Sequence, residues 1–99
     1  MNIKFNDSEI IRALLLELES GCTSSDDVAD KLRLLGIQGK LRHPRACPLR
    51  NYLVMHGLTD VSVGIADVTD INYNFIEIPK MVSLFRFEFD KGHYPDLVR

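Results

Sequence analysis

Lys40, Arg42, His43, Arg45 and Arg50 fall within one twelve-residue stretch, Gly39 to Arg50, that contains no carboxylate. Four permanent cations and an imidazole at this density suit anion binding. Guanidinium groups take phosphates or carboxylates through two parallel hydrogen bonds, and lysine adds a point charge. The surroundings are acidic: the chain has 14 acids against 12 Lys and Arg, a formal net charge of -2. Residues 1–36 carry -3, residues 37–50 carry +4, and residues 51–99 carry -3. The whole-chain charge argues against nucleic acid, whereas the local concentration leaves it open beside an acidic protein surface. A solvated loop whose arginines pair with the chain's own acids has the same composition.

Other residue types admit narrower chemistry. Cys47 precedes Pro48 at the start of a helical pattern, where a thiol beside arginines can have a lowered pKa. The alternative is a small, semi-buried residue that caps the helix. Cys22, His43, Cys47 and His56 are metal-ligand types, but their spacing matches no standard zinc module. Glu17, Glu19, Asp26, Asp27 and Asp30 form either a mimic of a phosphate backbone or a solvated helix face, interrupted by Lys31 and Arg33. Phe85, Phe87, Phe89 and Tyr94 offer either a stacking platform or a core. On a helix, Phe85 and Phe89 go inward and Phe87 points elsewhere. There is no Ser/His/Asp spacing, no Gly-rich phosphate loop between strand and helix, and no HExxH. The expectation is a protein without catalytic activity, metal or cofactor.

The elements that must position these residues can be read from periodicity. Asn6, Asp7 and Ser8 precede a pattern in which Ile10, Ile11, Leu14, Leu15 and Leu18 share a helical face, giving a first helix over Asp7–Ser20 with Gly21 as its stop. Ser24 and Asp27 form a capping box with Asp in place of Glu. They open a second helix that buries Val28, Ala29, Leu32 and Leu35 and closes at Gly36. The basic loop runs over residues 37–46. Pro48 suits the first position of a third helix, which buries Leu49, Tyr52 and Leu53, continues to His56 and closes at Gly57. The third helix would present its N-terminal amides to an anion beside the loop. Val61, Val63 and Ile65 alternate with Ser62 and Gly64, and residues 72–78 alternate again, so a hairpin is expected with its turn at Asp67–Asp70. Pro79, Lys91 and Gly92 bracket a last helix. The tail after it, residues 93–98, is expected to be extended and packed back through Tyr94 and Leu97. The order is α-α-α-β-β-α, a small α+β domain with a two-stranded antiparallel hairpin.

Ninety-nine residues suffice for one domain over 1–99 with one core. The longest strongly apolar run, Leu14-Leu15-Leu16, is far short of the ~18 residues that span a bilayer. Residues 1–7 lack the basic-then-apolar pattern of a secretion signal. Two cysteines make no disulfide framework. A cytoplasmic protein without membrane contact is expected. Nothing selects an oligomeric state.

Three pieces carry a resemblance: Gly36-Ile37-Gln38-Gly39-Lys40 leading to Cys47-Pro48-Leu49-Arg50-Asn51-Tyr52-Leu53, then Ile78-Pro79, then Phe89-Asp90-Lys91-Gly92-His93-Tyr94-Pro95-Asp96-Leu97. Together, over residues 24–98, they resemble a group of small, largely uncharacterised proteins encoded by actinobacteria and their phages. That group has a Gly-x-x-Gly loop, a Cys-Pro-Leu/Val-x-x-Tyr-Leu helix and a Phe-Asp-x-Gly-x-Tyr-Pro-x-Leu tail. The resemblance implies a small stand-alone domain in a phage or host-defence setting. Leu41-Arg42-His43 departs from the more acidic loops of the group. The leading expectation is a non-catalytic binding module that docks Lys40, Arg42, His43, Arg45 and Arg50 on an acidic protein or nucleoprotein, with Tyr52 or Phe87 in apolar contact. An inhibitor of a nucleic-acid-processing complex would be one example. The alternative is a DNA-binding regulator in which the second and third helices and the hairpin form a winged helix-turn-helix, although the long loop replaces the usual short turn.

Overall fold

The structure, a computed structural model, describes residues 6–99. The opening residues 1–5, part of the segment read above for a secretion pattern, lie outside the described residues. Four helices, α1 (Asp7–Glu19), α2 (Ser25–Leu34), α3 (Pro48–Met55) and α4 (Lys80–Asp90), accompany three short strands, β1 (Ser62–Val63), β2 (Asp67–Thr69) and β3 (Phe75–Glu77). The α+β class and the helix order are those expected. The sheet has one strand more, because Asp67–Thr69 is the central strand and not a turn.

Local signals account for the helix ends. The Asn6 side chain accepts from the Glu9 amide at 2.9 Å and opens α1. Ser24 accepts from the Asp27 amide at 3.3 Å, and the Asp27 carboxylate reaches back to the Thr23 amide at 2.9 Å, so the box spans one residue more than expected. The helices also cap one another. Lys31 of α2 donates to the carbonyls of Glu17 at 3.1 Å and Leu18 at 3.0 Å at the end of α1. Glu19 of α1 accepts from the Met81 amide at 2.7 Å at the start of α4. Orphan carbonyls and amides at both ends are thereby satisfied, with charges of the sign that the helix dipole favours.

The core is continuous. Ile11, Leu15 and Leu18 of α1, Val28, Ala29 and Leu32 of α2, and Leu49, Tyr52 and Leu53 of α3 are buried, as their spacing predicts. Leu35 is exposed instead of buried, and Ile37, past the helix, takes the inward position. His56 does not continue the buried face of α3; it is exposed and sits edge-on to Tyr52 at 5.0 Å. In the antiparallel sheet, ordered β1-β2-β3, Val63 pairs with Val68 and Val68 with Ile76, and this row faces the helices. β2 offers only Val68 to the core, so its alternation is too short to stand out in the sequence. Ile65 is not in β1: it is 91% exposed at the tip of the tight turn closed by Gly64 and Asp67.

α4 packs chiefly on α2. Phe85 and Phe89 are fully buried, and the Phe85 ring stacks on Phe89 at 5.9 Å and on Tyr94 at 5.3 Å. Phe87 points out, 56% exposed. The tail packs back through Tyr94 and Leu97 as expected, but as a 3-10 turn over Pro95–Leu97 rather than an extended segment. Arg33 of α2 fastens it, its Nε donating to the Asp96 carboxylate at 2.6 Å, which holds that carboxyl below its ordinary range. Val98 then forms a parallel bridge with Gly39. Among the described residues no helix is long and apolar enough to cross a membrane.

Candidate functional site

The loop between α2 and α3 contains a proline and no regular structure, so its shape depends on what ties it down. Four elements do so. The Gly39 amide donates to the Leu97 carbonyl at 2.9 Å, and the Arg99 amide donates to the Gly39 carbonyl at 2.9 Å, which joins the loop to the tail. The Asn51 side chain of α3 donates to the carbonyls of Gln38 at 2.7 Å and Ala46 at 3.3 Å. The Val63 amide of β1 donates to the Pro44 carbonyl at 2.8 Å. Asp90, at the end of α4, accepts the Arg42 amide at 2.8 Å on its carboxylate, and its backbone carbonyl accepts from Arg42 Nη1 at 3.1 Å. Inside the loop the Lys40 amide donates to the Ala46 carbonyl at 2.8 Å, and the Arg45 amide donates to His43 Nδ1 at 3.3 Å.

Asp90 also explains the backbone at Arg42, whose φ of +50° is uncommon for a residue with a side chain. A conformation of this kind costs of order 1 kcal/mol and persists only where the surroundings impose it. The two contacts with Asp90 are that imposition. The loop backbone is therefore braced, and of its cations the Arg42 guanidinium is also held, by the Asp90 carbonyl.

Lys40, Arg42, His43 and Arg45 are exposed, and none of these side chains forms an ion pair with a carboxylate among the described residues. The chain's own acids pair elsewhere: Arg33 with Asp30 and Asp96, Arg86 with Asp90, and His93 with Glu88. Arg50 departs from the expected group. It is half-buried and turns toward the α3–β1 connection, donating to the carbonyls of Thr59 and, at 3.4 Å, Val61. It braces backbone, and its side chain leaves the loop's outer surface.

The start of α3 is not presented to an anion. Cys47, Pro48 and Leu49 are buried, and Gly39 lies directly against the Cys47–Pro48 peptide. Cys47 is the helix cap, its Sγ accepting from the Arg50 amide at 3.5 Å. Burial raises the pKa of its thiol, outweighing the hydrogen bond and the nearby guanidinium of Arg86. A buried thiol held in its neutral form is a poor nucleophile. In the folded protein at neutral pH, iodoacetamide is expected to modify the half-buried Cys22 well before Cys47, with Cys47 reacting at the rate of unfolding; peptide mapping of a timed alkylation reads this directly. Among the described residues no three His, Cys, Asp or Glu side chains converge as a metal site.

Apolar contact comes from other residues than expected on one count. Tyr52 is buried and its hydroxyl donates to the Leu14 carbonyl at 3.0 Å. Phe87 is outside, with Lys91 Nζ 4.4 Å from its ring centroid. Tyr73 and Ile71, not singled out by the sequence, stand exposed at the β2–β3 connection and share a shallow cleft of about 220 Å³ with Arg45. The buried Asp70 organises that connection by accepting from the amides of Asn72 and Asn74, each at 2.9 Å, and from the Asn74 side chain at 3.0 Å. It holds Tyr73 at a φ of +61°. Tyrosine and arginine are both enriched at energetically important interface positions.

No family model, curated protein or solved structure matches this chain.

Proposed function

We propose that this protein is a small binding module without catalytic activity. It docks Lys40, Arg42, His43 and Arg45 against an acidic protein or nucleoprotein surface. The observation that carries the reading is that these side chains are exposed on a braced loop and left unpaired by the chain's own carboxylates among the described residues. A loop already ordered loses little conformational freedom on binding, so its charge translates into affinity and fast association. Tyr73 and Ile71 on the Arg45 side, together with the exposed Phe87, supply apolar contact. The phage or host-defence setting, with inhibition of a nucleic-acid-processing complex as one instance, comes from the resemblance in the loop, helix and tail motifs.

The protein-docking reading is preferred to a DNA-binding regulator because of α3. A recognition helix must offer free donors to base edges. In α3 the Arg50 guanidinium is spent on Thr59 and Val61, and the Asn51 amide on Gln38 and Ala46.

Co-purification from the producing host tests the proposal. The Arg42→Glu/Arg45→Glu double variant is expected to lower partner affinity by at least about a hundredfold, since like charges across an interface cost several kcal/mol. Unchanged capture by a folded double variant would overturn the docking reading. A complex with duplex DNA at low salt that dissolves steeply as salt rises would instead support the regulator.

A further inference from the structure

Among the described residues, Arg86 is the one buried charge that its own surroundings leave incomplete. It lies on α4, only 8% exposed, and its Nε has no hydrogen-bond partner among the described residues. The Asp90 carboxylate stands 3.8 Å from Nη2, close enough for charge compensation but beyond hydrogen-bond length. Buried polar atoms in folded proteins are nearly always bonded, and a guanidinium whose Nε is buried without a hydrogen bond is held unfavourably. Nε itself has no accessible surface, so an anion beside Arg86 would bond to the two Nη groups, which have no hydrogen-bond partner among the described residues and are not fully covered.

A place for one exists. Arg86 lines a groove of about 510 Å³ between the β1–β2 turn and the outer side of α4, walled by Ile65, Leu84 and Phe87 with Lys80 and Asp90. The volume falls in the range of small-molecule sites. Ile65, Leu84 and Phe87 are all exposed, three large apolar side chains gathered around one buried cation. Arg86 and Lys80 against Asp90 give the lining a net charge of +1.

We propose that this groove binds a small amphiphilic monocarboxylate. Its carboxylate sits on Arg86, and its apolar body lies against Ile65, Leu84 and Phe87. The planar guanidinium matches a carboxylate in shape. A single negative charge neutralises the lining, whereas a second would meet the Asp90 carboxylate, so polyanions such as nucleic acid are disfavoured. The site adjoins the loop through Asp90, which also holds Arg42, but its cations are Arg86 and Lys80 rather than those of the loop.

Isothermal titration of the full chain with octanoate tests this, with acetate and octanamide as probes lacking the apolar body and the charge, respectively. Octanoate is expected to bind saturably, one per chain. Acetate, octanamide and the Arg86→Met variant are each expected to weaken binding by about tenfold or more, the loss of the apolar contact or of a charge-assisted hydrogen bond. Arg86→Met should melt at the same temperature as the parent or higher, since it removes an incompletely bonded charge; a purely structural arginine would give a lower melting temperature. Ile65→Glu, at a fully solvated turn, keeps the test available should Arg86→Met not fold, and it too is expected to weaken octanoate. Arg45→Glu, whose side chain lines the other cleft beside Tyr73, should bind octanoate within about twofold of the parent, an interval too small to represent a lost hydrogen bond. No saturable binding, equal binding of octanamide, undiminished binding by Arg86→Met or Ile65→Glu, or loss of binding in Arg45→Glu would each overturn the proposal. Only partner capture by Arg42→Glu/Arg45→Glu bears on the docking function.

Discussion

Gly39→Ala is expected to destabilise the protein by about 3 kcal/mol or more, at the upper end of what overpacking does. A Cβ at position 39 would stand 2.4 Å from the Pro48 nitrogen and 2.6 Å from both the Cys47 carbonyl carbon and Pro48 Cδ. Two of these three atoms are backbone and the third is locked in a ring, so no side-chain rotation relieves the overlap. Retreat of the glycine is blocked from the other side, where its amide and carbonyl are bonded to Leu97 and Arg99. Alanine is the smallest side chain, so every other substitution is worse. Urea unfolding should show a lower midpoint with an unchanged slope. A loss below about 1 kcal/mol, the typical effect of an unremarkable substitution, would mean that the loop and α3 separate easily and that the loop is not braced as described.

Phe85→Ala should cost about 3–5 kcal/mol, the usual range for a buried aromatic cut to alanine. Phe85 is fully buried, and its removal opens a cavity between Phe89 and Tyr94, which it stacks against at 5.9 and 5.3 Å. The cavity cannot collapse freely, because the Tyr94 hydroxyl is held by Ser25 at 2.8 Å and Asp26 at 2.7 Å. Domains of this size hold roughly 5–15 kcal/mol in total, so the variant should be near its limit of stability. The melting temperature should fall by about 4–8 °C for each kcal/mol lost. Phe87→Ala, two residues along the same helix but facing water, should stay within about 0.5 kcal/mol of the parent. Equal effects at the two positions would contradict the facing assigned to α4.

That facing was legible in the sequence, since Phe85 and Phe89 are four apart and Pro79 and Gly92 bracket the helix. The same holds for α1, whose apolar residues recur with unbroken spacing, and for the cap at Ser24. β2 was not legible because a three-residue strand with one inward valine carries too little alternation to be told from a turn. Ile65 continued an alternating pattern by residue type alone, while Gly64 had already turned the chain. At the site, composition showed where positive charge gathers but could not show which way each side chain leaves. Arg50 is spent on carbonyls 9 and 11 positions away, and Arg42 is oriented by Asp90, 48 positions away. No local signal announces such a partner. The Arg86 groove went unseen for a related reason: its walls come from a turn and a helix that only the packed sheet brings together.

The bridge between Gly39 and Val98 has a kinetic consequence. Closing so long a span of chain carries an entropy penalty that neighbouring helices do not face, and such closures tend to come late in folding. The cationic loop should therefore take its final shape only after α2 and α4 have come together. Contacts absent from the transition state govern the rate of unfolding more than the rate of folding. Weakening this seam should thus shorten the lifetime of the native state while refolding proceeds at nearly its former pace.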